Sequence, residues 1–125
     1  MLKKILVADD DPEVLELVEK RLRSDGYQVI KAAAGREAIE KIKIHQPHLI
    51  LMDIVLPDID GSEVIKTIKA DPLLQSIPVI FLSGIITQND EAKLEVKVDG
   101  RLFPAIPKPC NFERLLEEMR KILKT

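Results

Sequence analysis

Short segments far apart in this 125-residue chain end in groups suited to act together: Asp9-Asp10-Asp11, Asp53, Ser83-Gly84 and Lys108-Pro109. Carboxylates gathered in one place repel one another, which raises their pKa values and disfavours an empty site. A divalent cation removes that penalty. Magnesium takes about six oxygen ligands in near-octahedral array and keeps several waters, so a few carboxylates and a backbone carbonyl suit it. Ser83 adds a hydroxyl donor and Lys108 a compact positive charge. Acid cluster, hydroxyl and amine together describe a site for a divalent cation and a phosphoryl group, where the work is positioning and electrostatics.

Such groups must be delivered to one place, and the sequence in front of each shows how. The runs Ile5-Leu6-Val7-Ala8, Leu49-Ile50-Leu51-Met52 and Val79-Ile80-Phe81-Leu82 are continuously apolar and stop at Asp9, Asp53 and Ser83; Ala105-Ile106 precedes Pro107-Lys108. An unbroken apolar run is the pattern of a strand covered on both faces. Parallel strands lying side by side gather their ends in one crevice. Strands are expected at Lys4 to Ala8, Gln28 to Ala33, His48 to Asp53, Ile77 to Leu82 and Leu102 to Ile106.

Helices are expected between them. Asp11-Pro12 reads as N-cap and first-turn proline of a helix to about Ser24, ended by Gly26. A second runs from about Arg36 to His45, and a third is capped by Ser62 and ends near Ala70. A fourth opens at Asn89 or Asp90 and reaches about Val98, and Asn111 caps the last, with Phe112, Leu115, Leu116, Met119 and Leu123 inward. The alternation predicts one α/β domain over residues 1–125, a doubly wound five-stranded parallel sheet with helices on both faces, and no output domain.

Composition narrows the function. Aromatics are 3% of residues, which leaves no stacking platform for single-stranded nucleic acid, and a net charge of -2 argues against a DNA-binding face. The sequence has no apolar run of membrane-spanning length and no signal peptide, and its single cysteine forbids an intrachain disulfide, so a cytoplasmic location is expected. His45 and His48 lack ligand-like spacing and read as structural; Cys110 reads as a small hydrophobe.

From Lys3 to about Leu123 the chain resembles the receiver domain of two-component response regulators. Asp9-Asp10 match the acidic pair, Asp53 in M-D-I-V-L-P the phosphoaccepting aspartate, Ser83 in F-L-S-G the hydroxyl position and Lys108-Pro109 the Lys-Pro pair. The resemblance implies the flavodoxin-like receiver fold with strand order 2-1-3-4-5. It also implies Mg2+ as cofactor, held by Asp10, Asp53 and the Val55 carbonyl, with Asp9 acting directly or through water. Asp53 would take a phosphoryl group from a sensor histidine kinase or histidine phosphotransfer protein. Ser83, the Gly84 amide and Lys108 would hold the phosphoryl oxygens, and the bond before Pro109 would be cis. The output would be a changed surface for a downstream protein or output domain, with no nucleic acid or membrane bound directly. Asp11 has no role in the family and reads as the helix cap.

Departures from the pattern concern other positions. An aromatic residue is usual three before the lysine; here Ala105 stands there, with Phe103 two residues earlier on the same face. Val55 and Ile85, two after Asp53 and Ser83, are apolar where the family borders the path of a hydrolytic water; apolar neighbours would exclude or misplace that water, so a prolonged phosphorylated state is expected. Two competing readings remain: a pseudo-receiver that binds without being phosphorylated, and a phosphohydrolase similar to the haloacid dehalogenases. The latter's first-strand D-x-D motif is matched formally by Asp9 and Asp11.

Overall fold

The computed structural model describes residues 2–84, 95–108 and 111–124. Strands β1 (Lys4–Ala8), β2 (Gln28–Ala32), β3 (Leu49–Asp53) and β4 (Val79–Ser83) alternate with helices α1 (Pro12–Ser24), α2 (Gly35–His45) and α3 (Gly61–Lys69). Strands β5 (Glu95–Val98) and β6 (Arg101–Pro107) and helix α4 (Phe112–Leu123) follow. The sheet order is β2-β1-β3-β4-β6-β5. Five strands are parallel in the expected order, the expected fifth being β6, and β5 adds an antiparallel edge beyond it.

Alternate residues of the central strands feed two cores, as a pleated strand requires. Leu6, Ala8, Ile50, Met52, Val79 and Phe81 pack on the face covered by α2 and α3. Ile5, Val7, Leu49, Leu51, Ile80 and Leu82 pack on the face covered by α1 and α4. All five residues of β3 are buried, so nothing polar is tolerated along it until its last residue, Asp53. Burying each large aliphatic side chain contributes about 1.5–3 kcal/mol, so these two cores fix the register that presents the strand ends.

The outer helices start as their caps dictate. Asp11 Oδ1 accepts from the Glu13 amide at 2.9 Å with Pro12 at the first turn, and Asn111 Oδ1 accepts from the Arg114 amide at 3.2 Å. Gly26 follows α1 at φ 93, a conformation that favours glycine. Leu115, Leu116 and Met119 are buried from α4, with Phe112 and Leu123 packed against them.

Two expectations are corrected. Helix α3 begins at Gly61 and Asp60 holds the N-cap position without a side-chain bond, so Ser62 is not the cap. The reason is packing. The Gly61 amide donates to the Ile54 carbonyl at 2.7 Å, and a Cβ on Gly61 would collide with the Asp53 carbonyl oxygen, so the chain turns into helix at this glycine.

The second correction concerns the expected helix ending near Val98, whose described end is strand β5. Asp99 and Gly100 both take positive φ, 53 and 81, and form the two-residue loop of a hairpin. That loop folds Val98 back against Arg101 and Val96 against Phe103. The start expected at Asn89 or Asp90 lies outside the described residues.

Candidate functional site

Strand β1 pairs with β2 on one side and β3 on the other, so the chain leaves β1 toward one neighbour and reaches the other by a later crossover. A crevice opens at such a reversal, beyond the carboxyl ends of the strands. Asp9 and Asp10 follow β1 there and Asp53 ends β3 beside them. Carboxylate oxygens of Asp9, Asp10 and Asp53 lie within 4.8 Å of one another.

Each is held differently. Asp9 is 1% exposed; its amide donates to the Ala32 carbonyl at 3.0 Å and its Oδ1 accepts from the Asp11 amide at 3.0 Å. Asp53 is 6% exposed, and its Oδ1 accepts from the Val55 amide at 3.3 Å. Asp10 is exposed at the mouth of the cluster. Asp11 points its carboxylate into the α1 amides instead.

Lys108 closes the crevice from the end of β6. Its Nζ lies 2.9 Å from Asp53 Oδ2 and also contacts Asp9 Oδ2. Burial alone would lower the Lys108 pKa, but hydrogen bonding and attraction from Asp9 and Asp53 outweigh it and the pKa rises. The Asp53 pKa is also raised, first by burial and further by Asp9, against the opposing pull of Lys108 and the Val55 amide. Three carboxylates with one ammonium leave negative charge uncompensated. Opposite vertices of a magnesium octahedron stand about 4.2 Å apart, so small side-chain rotations would bring these oxygens to one ion, and the donor set fits it.

Ser83 ends β4 one residue past Leu82, the partner of Asp53, and is 1% exposed. Its carbonyl accepts from the Lys108 amide at 3.0 Å, which ties the hydroxyl-bearing strand end to the lysine-bearing one. Gly84 follows in the turn; among the described residues no atom lies within 4 Å of where its Cβ would stand. Pro109, with its expected cis bond, Cys110 and Ile85 lie outside the described residues.

Phe103 packs edge-on against Phe81 at 5.9 Å, and Ala105 is buried in the same core. The aromatic on this face is therefore part of the core under α3. His48 Nδ1 accepts from the Lys4 amide at 2.9 Å, a structural bond, and the backbone carbonyl of His45 accepts from Lys4 Nζ at 2.7 Å.

Two positioning residues escaped the sequence reading. Gly61 brings α3 against the backbone of Asp53. Asp58 accepts from the amides of Gly35 at 2.7 Å and Arg36 at 3.0 Å, capping α2 from 22 residues away. The signal was an omission: Ala33-Ala34 before α2 offers no side-chain cap, so one must come from elsewhere.

A family profile for the response regulator receiver domain matches residues 5–120. The polar-differentiation response regulator DivK of Brucella ovis is 32% identical over 123 residues, covering 98% of each chain. A CheY-like receiver domain protein from Methanospirillum hungatei superposes with a TM-score of 0.82 at 31% identity, covering 99% of this chain and 95% of that one. The receiver domain of a signal transduction histidine kinase from Syntrophus aciditrophicus reaches 0.81 at 31% identity, covering 98% and 90%.

Proposed function

Since the chain belongs to the response regulator receiver family of two-component signalling, we propose that it accepts a phosphoryl group on Asp53. The observation that carries this reading is the Lys108 ammonium set between Asp53 and Asp9, with Asp10 completing the acid cluster. An Asp53 oxygen attacks the phosphorus of a phosphohistidine on a histidine kinase or phosphotransfer protein. The P–O bond forms as the P–N bond breaks, and the imidazole nitrogen keeps the electron pair and takes a proton.

Lys108, already beside Asp53, would neutralise a phosphoryl oxygen; Ser83 and the Gly84 amide would donate to the others. Asp9, Asp10, Asp53 and the Val55 carbonyl would hold Mg2+, which when bound offsets negative charge on the transferring group. The role is signalling rather than sustained turnover, and a cytoplasmic setting among kinase and target proteins suits it. Phe103 stands against Phe81 in the core, so the output would not pass through a ring swinging at the Ala105 position. The hydrolase reading loses its second aspartate, because Asp11 caps α1. Relatives include a receiver carried by a histidine kinase, so both free-standing and fused contexts suit such a domain.

The test is intact-mass measurement after incubation with magnesium and a small acyl phosphate, for the native chain and Asp53→Asn. One phosphoryl group on the native chain and none on the variant is expected. An adduct on both would place the acceptor elsewhere. No adduct on a native chain that magnesium still stabilises thermally would favour the pseudo-receiver.

A further inference from the structure

Away from the acid cluster, the hairpin presents its α3-facing side. Residues opposite one another in an antiparallel pair share a face, so Val96 stands with Phe103 and Val98 with Arg101. Val98 and Phe103 are buried under α3 and Val96 packs on the same core. Arg101 continues this apolar face as a cation.

A cavity of about 220 Å³ opens there between the hairpin and the last turn of α3, with Ile65, Val98 and Phe103 as its apolar floor. Lys66, Lys69 and Arg101 are its cations among the described residues, and Asp99 its one carboxylate among them. Among the described residues Asp99 pairs with none of them, and Lys66 has only an exposed Glu63 at 3.7 Å. Lys69 Nζ donates to the carbonyls of Gln75 at 2.8 Å and Ile77 at 2.6 Å and lies 5.8 Å from the Phe103 ring centroid. Burial pushes its pKa down, and Arg101 pushes it further the same way. Among the described residues, cations crowded over an aromatic floor leave positive charge unmet, and a guanidinium offers paired donors to a planar or tetrahedral anion.

We propose that this cavity binds a small organic anion, a carboxylate or phosphate carried on an apolar ring, with its charge between Lys69 and Arg101 and its body on Phe103. The volume is below the roughly 300–1,000 Å³ of drug-sized pockets, so one ring with one charged group is the size it accepts. Along β6, Phe103 and Lys108 are five residues, about 17 Å, apart. This site is therefore separate from Asp53, and its occupancy does not depend on the phosphoacceptor reading.

The experiment is a titration of the isotope-labelled full chain, without divalent cations, with phenylphosphonate, benzoate and neutral benzamide, followed by NMR. Saturable shifts at Lys69, Arg101 and Phe103 are expected with both anions and not with benzamide. The exposed Arg101→Gln should weaken binding about tenfold while the rest of the spectrum stays unchanged, and Lys69→Gln should do likewise. Equal shifts with benzamide, shifts centred on Asp53 and Lys108, the absence of saturation, or affinity untouched by both substitutions would each overturn the proposal.

Discussion

Lys108 and Lys69 are both half-buried lysines beside β6, one at each end, and the protein treats them in opposite ways. Lys108 stands between Asp9 and Asp53, and their attraction overcomes burial to raise its pKa. Lys69 rests on two carbonyls and the face of Phe103; burial lowers its pKa and the nearby Arg101 adds to the fall. Depth is therefore not what separates the two ammonium groups. Partners decide. Among the described residues, where two carboxylates meet one amine the cation is secured and excess negative charge is left over; where amine meets guanidinium, positive charge is left over.

Replacing each lysine by methionine breaks the comparison open. Lys108→Met should have the larger effect, because it strands the buried Asp9 and Asp53 carboxylates opposite each other. Removing one partner of a buried pair costs about 3 kcal/mol. Urea unfolding without divalent cations would read that loss, and added magnesium should restore part of it. A loss below about 1 kcal/mol, or no response to magnesium, would mean the acids are not held in tension by this amine. Lys69→Met should cost only about 1 kcal/mol, since the freed carbonyls of Gln75 and Ile77 are exchanged for water and the methionine chain gains apolar contact with Phe103. A cost equal to that of Lys108→Met would erase the distinction.

The same contrast explains what could be read from the chain. Asp9, Asp53, Ser83 and Lys108 were legible because each ends or directly follows a strand whose last residues are apolar and buried, and a buried strand has nowhere else to put a polar group. Helices α1 and α4 were legible from Asp11-Pro12 and Asn111, whose caps are local. The hairpin end was missed although its signal was present. Glu95-Val96-Lys97-Val98 alternates with period two and runs into Asp99-Gly100, a strand and turn pattern that competes with the helix predicted from a cap at Asn89 or Asp90. The start of α3 and the cap of α2 were not legible at all, because both are set by tertiary contacts: Gly61 against Asp53, and Asp58 against Gly35 and Arg36.

Asp58 supplies the smallest and most sharply defined test, because it reverses the behaviour of Asp53 within the same β3–α3 region. Burial and Asp9 raise the Asp53 pKa, whereas the amide of Arg36 first, then those of Ile59 and Gly35, lower that of Asp58 to about 2. A carboxylate whose folded pKa is depressed contributes stability that is complete above its unfolded value, 3.8, and is lost as pH falls through about 2. Asp58→Ala should therefore lower Tm at pH 7 by about 4 °C, in line with the loss of a helix cap. The gap between native and variant should shrink to roughly half by pH 3, as protons begin to compete with the α2 amides. Asp53→Asn should show the opposite sign: the folded Asp53 pKa is raised, so lowering the pH should stabilise the native chain relative to this variant. A gap at Asp58 that stayed constant down to pH 3 would mean that packing of Ile59 against Gly35, and not the charged cap, holds the start of α2 in place.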